Sequence, residues 1–315
     1  MHIVLTGAAG YLASWLVPEV LRAPAFAGAR LTLVDLAVPH PPSDPRVRVV
    51  AGDLGGEAVR EAAIDGGVDV VFHLAGILGG AAEADPALAR RVNLDATLAL
   101  WDDLRAVGAG GRVPRVVYAS SIAVFGPPLP DPAGDDSPTC PTLVYGAQKR
   151  QVEIALEQYS ARGWIDGIAL RVPGIVARDG ADARQRSAFL NRLFFAHARG
   201  VDLELPVGPD GTTWLLSARR AAETFVAAAL LPPESLGRQR AILLPAQRVR
   251  IDALVAALAA RHPSSSTRIR HVPDADIEAQ FARYPELRTP LADALGFRHD
   301  GDLDALIDNA LAHPD

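Results

Sequence analysis

Tyr145 and Lys149 stand four residues apart in Tyr145-Gly-Ala-Gln-Lys149. On a helix that spacing puts both side chains on one face, one turn from each other. A tyrosine hydroxyl ordinarily holds its proton to about pH 10 and is a poor base at neutral pH. A neighbouring ammonium favours the phenolate and is expected to draw that value down. The pair then supplies a base for an alcohol proton while a hydride leaves the same carbon. A bare Tyr-x-x-x-Lys also decorates ordinary solvated helix faces, so the elements that precede it must carry the reading.

His2 to Thr6 is a short apolar run, read as a buried strand, and it enters Gly7-Ala-Ala-Gly10-Tyr-Leu-Ala13 and an amphipathic stretch from Leu12 to Leu21. Strand, glycine turn and helix in this order form a dinucleotide-binding start. Glycines let the backbone approach a pyrophosphate, to which the helix N-terminus presents free N–H groups and the positive end of its dipole. The alternative is a plain tight turn. A second strand, Arg30 to Asp35, ends on an acid 22 residues beyond Ala13. A carboxylate there accepts hydrogen bonds from ribose hydroxyls and repels a 2′-phosphate, and no arginine follows in Leu36-Ala37-Val38, so NAD is expected rather than NADP. Asp35 as a turn or helix cap is the alternative.

The rhythm continues. Arg46 to Ala51 reads as a third strand closed by Gly52-Asp53-Leu54, with Asp53 a candidate partner for the adenine amino group. Val68 to Leu74 is a fourth strand opening into Ala75-Gly76, whose small side chains leave room for a cofactor backbone. His73 at its end reads as packing rather than catalysis. Pro86 begins a helix predicted to run to about Val107, on which Asn93 either ties the helix to the cofactor-site backbone or serves structure alone. Pro114 to Ser121 is a fifth strand and Ile165 to Val172 a sixth. Between them lies an Asp/Pro-rich loop, 127–141, long enough to suggest function. Strands alternating with helices specify an α/β fold, a Rossmann-type doubly wound parallel sheet with ligands at the C-terminal strand ends. Ser121 lies at such an end, where its hydroxyl could bond a substrate oxygen beside Tyr145.

After Val172 the alternation stops. Helices are predicted at 187–200, 218–231, 251–261 and 302–312, with short strands near 213–216, 241–244 and 267–271. Residues 1–172 are expected to form the dinucleotide-binding domain, recapturing segments around 213–245, and 173–315 mainly a smaller interwoven α/β substrate-binding part. The 315 residues are 49% hydrophobic and carry a net charge of −6 without a basic run, which disfavours a nucleic-acid partner. Cys140 is the sole cysteine, excluding an internal disulfide and a cysteine zinc site. No metal is expected, no apolar run reaches membrane-span length, and the N-terminus does not read as a signal peptide. The expectation is a cytoplasmic protein.

Together, Gly7-x-x-Gly10-x-x-Ala13, Asp35, Asp53, His73-Leu-Ala75, Ser120-Ser121-x-x-Val-Phe-Gly126 and Tyr145-x-x-x-Lys149 resemble the extended short-chain dehydrogenase/reductase family, the NAD-dependent epimerase/dehydratase group, over nearly the whole chain. The resemblance implies Ser121, Tyr145 and Lys149 as a catalytic trio, with Lys149 also on the nicotinamide ribose. It implies a cofactor lining of Gly7, Gly10, Tyr11, Leu12, Asp35, Asp53, Leu54, Leu74, Ala75, Gly76, Asn93, Tyr145, Lys149 and Pro173. A homodimer through helices 86–107 and 144–161 is implied in the same way.

Within that family, epimerases of nucleotide sugars usually carry an asparagine where this chain has Gly174. The runs from Ser121 to Pro130, Ser137 to Lys149, Arg171 to Arg178 and Trp214 to Ser217 instead resemble the branch that oxidises the C2 hydroxyl of D-erythronate with NAD. The chain departs from that branch at Gly79-Gly80-Ala81, Gly174, Thr212 and the charged run 179–186. A small acid needs a carboxylate anchor, and an arginine fork suits it. Arg178 is the first candidate; Arg184 and Arg186 read rather as surface arginines. Ser187 is a further candidate contact, with Ser121, Tyr145 and Gly174, whereas Trp214 reads as core or pocket wall. The expected activity is oxidation of a small sugar acid to the 2-oxo acid. The alternatives are a nucleotide-sugar epimerase or dehydratase that retains its NAD, and a dinucleotide-sensing protein without turnover.

Overall fold

The computed structural model describes residues 1–108, 111–180 and 186–314. Its strands, in chain order, are β1 (His2–Thr6), β2 (Arg30–Asp35), β3 (Val47–Ala51), β4 (Val70–His73), β5 (Arg115–Ser121), β6 (Ala133–Gly134), β7 (Asp166–Val172), β8 (Gly174–Val176), β9 (Leu203–Leu205), β10 (Thr212–Ser217), β11 (Ala241–Leu243), β12 (Gln247–Arg250), β13 (Ile269–His271) and β14 (Leu287–Arg288). Seven of them form one parallel sheet in the order β11-β7-β5-β4-β1-β2-β3. Its central strands are apolar runs because helices cover both faces; all five residues of β1 and all four of β4 are buried.

The order runs outward from β1 to β3 on one side and from β4 to β11 on the other. The crevice between the ends of β1 and β4 is therefore the topological switch point, where such sheets take their ligands. Ala241–Leu243 returns from the second half of the chain as the seventh strand, beside β7. The helix Ala218–Leu230 buries Phe225 and Ala222 in the core that also holds Ala13 and Leu16 of the helix Tyr11–Arg22.

A second sheet, β12-β10-β8, stands over a separate apolar core that includes Leu193, Phe194, Leu215 and Leu254. Trp214 on β10 is fully buried, its indole N–H donating to the Pro285 carbonyl at 2.9 Å, so it is core. The 127–141 stretch is pinned rather than open. Its β6 pairs with β14, and the Asp135 carboxylate accepts the Leu291 N–H at 3.0 Å.

The predicted 86–107 helix is corrected in one respect. It comprises Pro86–Arg90, a widened π turn at Arg91–Asp95, and Ala96–Gly108. Such bulges commonly serve a site rather than a helix, and here Asn93 lies in the bulge.

Candidate active site

Gly7 ends β1 with φ +76°, and a Cβ there would lie 2.6 Å from the Ala75 nitrogen and 2.8 Å from the Leu74 carbonyl carbon. Only glycine lets the turn after β1 close against the turn after β4. The Gly7 and Ala8 N–H groups bond the Val34 carbonyl, and the helix Tyr11–Arg22 begins at Gly10 with neither a side-chain cap nor an acid in its first turn. Its first N–H groups thus face the switch point with the dipole's positive end, as a pyrophosphate requires. Asp35 at the end of β2 accepts the Ala9 N–H on one carboxylate oxygen and its neighbour Leu36 on the other. The remaining lone pairs suit ribose hydroxyls. Asp53 is exposed and takes the Gly55 N–H at 2.8 Å, so it shapes its own turn while keeping an oxygen open. Leu12, Leu54, Leu74 and Ala75 are partly exposed along this edge and Gly76 is open. These residues fit NAD.

Across the crevice, Asn93 is buried and accepts the Ile77 N–H (2.7 Å) while donating to the Ile77 carbonyl (3.0 Å) and to Gln148 Oε1 (2.8 Å). It thus ties the bulged helix to both the loop after β4 and the Val144–Ala161 helix. His73 is fully buried between Thr6 Oγ1 (2.7 Å) and Thr97 Oγ1 (2.9 Å). Since Thr97 donates to the Asn93 carbonyl, it accepts from His73 Nε2–H, and Nδ1 accepts from Thr6. Burial lowers the imidazole to about 3, so it stays neutral and packs on Tyr118.

The helix Val144–Ala161 carries Tyr145 and Lys149. Gly146 lets it start against the turn after β5, where a Cβ would come 2.2 Å from the Ala123 carbonyl oxygen. Its first N–H, at Val144, is capped from outside by Glu83 at 2.6 Å. Ser121, at the end of β5, accepts the Ala123 N–H and hydrogen-bonds Tyr145, favouring the ionised phenol. Lys149 donates from Nζ to the Ala119 carbonyl (2.7 Å) and lies 4.6 Å over the Tyr118 ring and 5.5 Å from the Tyr145 ring centre. Ser121, Tyr145 and Lys149 are thus together at the C-terminal edge of the sheet.

Their proton affinities differ from the sequence expectation. Burial raises Tyr145 to about 12, with the Ser121 bond opposing it, and lowers Lys149 to about 7, with Glu153 opposing that. Desolvation outweighs the ammonium's pull in this closed corner, because it penalises each group's charged form.

On the substrate side, Tyr11 reaches from the glycine turn to donate its hydroxyl to the Ala177 carbonyl at 2.9 Å. Its hydroxyl is raised to about 12 by burial, with the nearby Arg178 charge opposing. The backbone of Arg178 donates to Asn191 Oδ1, and among the described residues its half-buried guanidinium has no hydrogen-bonded or ionic partner. Pro173 is buried between β7 and β8. Gly174 pairs with Leu215, where a Cβ would lie 2.9 Å from the Trp214 carbonyl oxygen. A larger side chain there meets backbone. Ser187 is half-buried at the start of the helix Ala188–Arg199, without a side-chain cap bond, and Arg186 is exposed. Arg184 lies outside the described residues. Among the described residues, no three His, Cys, Asp or Glu side chains converge as metal ligands.

Sequence reasoning passed over Glu83, Gln148 and Glu153. Glu153 was findable, an acid one turn beyond Lys149 on the same face. Lys149 itself carried a stronger signal than its spacing, since it is the only lysine among 31 basic residues. Glu83 had none, for its contact spans 61 residues.

The chain is similar to known proteins over nearly its whole length. The model of the NAD dependent epimerase/dehydratase family matches residues 3–215. The chain is 37% identical to the D-erythronate dehydrogenase of Cupriavidus necator, covering 98% of this chain and 97% of that one. It is 30% identical to the Haemophilus influenzae protein of the same name, over 98% of each. A solved nucleoside-diphosphate-sugar epimerase from Agrobacterium tumefaciens superposes with a TM-score of 0.87 at 32% identity, covering 98% and 92%. This chain belongs to the NAD dependent epimerase/dehydratase family, and NAD is its cofactor.

Proposed function

We propose that the protein is an NAD-dependent dehydrogenase that oxidises the C2 hydroxyl of a small sugar acid such as D-erythronate to the 2-oxo acid. The observation that carries the reading is the assembled trio Ser121, Tyr145 and Lys149, together with a half-buried Arg178 near Tyr11 whose guanidinium is unpaired among the described residues. The end-to-end similarity to D-erythronate dehydrogenases supports the substrate class.

Ser121 holds the alcohol oxygen and Tyr145 takes its proton. The phenolate forms in the first turn of the Val144–Ala161 helix, where the dipole's positive end favours it, and the Lys149 ammonium adds to that. Arg178 binds the substrate carboxylate in a charge-assisted pair. NAD, when bound, supplies the hydride acceptor, held by Gly7, Gly10, Asp35 and Lys149. Holding cofactor and alcohol in register provides much of the rate. The reading includes a cytoplasmic homodimer through the helices within 86–108 and 144–161, which expose Leu88 (37%) and Ile154 (47%).

The test is NADH formation by the purified protein with NAD or NADP and a panel of four- to six-carbon aldonic and uronic acids. Turnover of one short acid with NAD is expected. A UDP-sugar converted to its epimer without net NADH, and silence on every acid, would replace this reading with the epimerase one that the Agrobacterium tumefaciens structure's name suggests. Light scattering of the same sample reads the dimer.

A further inference from the structure

Glu153 is fully buried, one helical turn beyond Lys149, and no part of the proposed reaction uses it. Four hydrogen bonds hold its carboxylate. Ser120 on β5 donates to Oε1 at 2.6 Å, Arg171 on β7 to both oxygens at 2.9 and 3.0 Å, and Arg150 to Oε2 at 3.1 Å. Ser120 is the neighbour of Ser121, and β5 also supplies the Ala119 carbonyl and Tyr118 ring that hold Lys149. One carboxylate therefore joins the catalytic helix to the two strands that end at the site. Burying a charge is costly unless it is paired and bonded; the pairing here is complete, yet an apolar side chain would have filled the space without it.

We propose that Glu153 is a positioning residue that keeps Lys149 protonated and fixes the end of β5 on which Ser121 stands. It acts through Lys149 and rests on the reading of Tyr145 and Lys149 given above. Among the described residues around Lys149, Glu153 is the only anion. β4 offers the neutral His73, β5 a carbonyl and an aromatic face, the bulged helix Asn93 across from Gly76, and its own helix Tyr145 and Glu153. Arg150 and Arg171 both pair with the Glu153 carboxylate. Burial brings the ammonium close to losing its proton at neutral pH even with Glu153 opposing that loss.

Because Lys149 is the chain's single lysine, protein made with isotope-labelled lysine has one side-chain signal, and its titration by NMR reads this proton without substrate or turnover. The wild-type midpoint is expected at about 7. Glu153→Gln alone would strand the Arg171 cation, so the variant used is Glu153→Gln with Arg171→Gln. Its midpoint should fall by about one pH unit, roughly tenfold in proton affinity. Glu153→Asp, which keeps the charge and the partner of Arg171, should remain within about half a unit of wild type. A folded double variant titrating like wild type overturns the proposal, as does Glu153→Asp falling by a full unit, a result that stands even where the double variant does not fold. Turnover is scored separately. An unreactive wild type whose titration follows these shifts would refute the dehydrogenase reading and leave Glu153's hold on Lys149 intact.

Discussion

Two regions meet at the candidate active site and are built differently. In the corner of Ser121, Tyr145 and Lys149, three polar side chains have bonded partners or an aromatic face: Ala123 and Tyr145 for Ser121, Ala119 and Tyr118 for Lys149, Thr6 and Thr97 for His73, while the buried Tyr118 hydroxyl has no partner among the described residues. In the segment from Pro173 to Arg199, the Arg178 guanidinium and the Ser187 hydroxyl have no such bonds among the described residues. The first region stands on strand ends of a sheet whose register is set by a common core. The second is held by the short strand β8, by the Tyr11–Ala177 bond and by the helix Ala188–Arg199, which buries Leu193 and Phe194 in the second core. Chemistry needs groups held within fractions of an ångström, whereas recognition of a small flexible acid needs a charge left unspent.

That contrast can be broken at several points, of decreasing size. Tyr145→Phe removes the base but almost no volume, and turnover should drop about a thousandfold while NAD binding, followed by nucleotide fluorescence, persists. Retained turnover would move the base elsewhere. Arg178→Gln should raise KM for the acid roughly ten- to a hundredfold at nearly constant kcat, since a charge-assisted bond contributes about 1.5–3 kcal/mol. An unchanged KM would show that the carboxylate is read by another group.

The pH dependence sharpens the comparison further. Burial holds the Tyr145 proton to about 12 and the Lys149 ammonium is lost from about 7, so oxidation should quicken with rising pH, by up to about tenfold per unit, in the acid range below neutral and level off above it. A flat profile below neutral would show that proton removal does not limit the rate. The smallest effect is expected from Tyr11→Phe, which loses one hydrogen bond to Ala177, about 1 kcal/mol, and should raise KM a few-fold. A loss in kcat instead of KM would mean that the two regions are not separable.

The Rossmann order, the glycine turn, Asp35 and the helical spacing of Tyr145 and Lys149 were legible because each is written locally. Period-two or all-apolar strands, helix caps and glycines at forced turns need no knowledge of distant residues. Gly174 was legible only as a departure from relatives; the backbone of β10 shows that no larger side chain fits there without a shift. The bulge at Arg91–Asp95 was not readable from helical periodicity, since what it serves is a bond from Asn93 to Ile77.

The sequence by itself thus determined the fold class, the family and the cofactor, and singled out Ser121, Tyr145 and Lys149 as the side chains proposed to react. Only the tertiary structure decided their proton affinities, because desolvation depends on what packs around a group and not on its neighbours in the chain. It alone brought Glu83, 61 residues away, to the head of the helix that carries Tyr145 and Lys149, and Arg171 to Glu153. Such pairings arise when strands and helices distant in sequence share one core, and no local spacing encodes them.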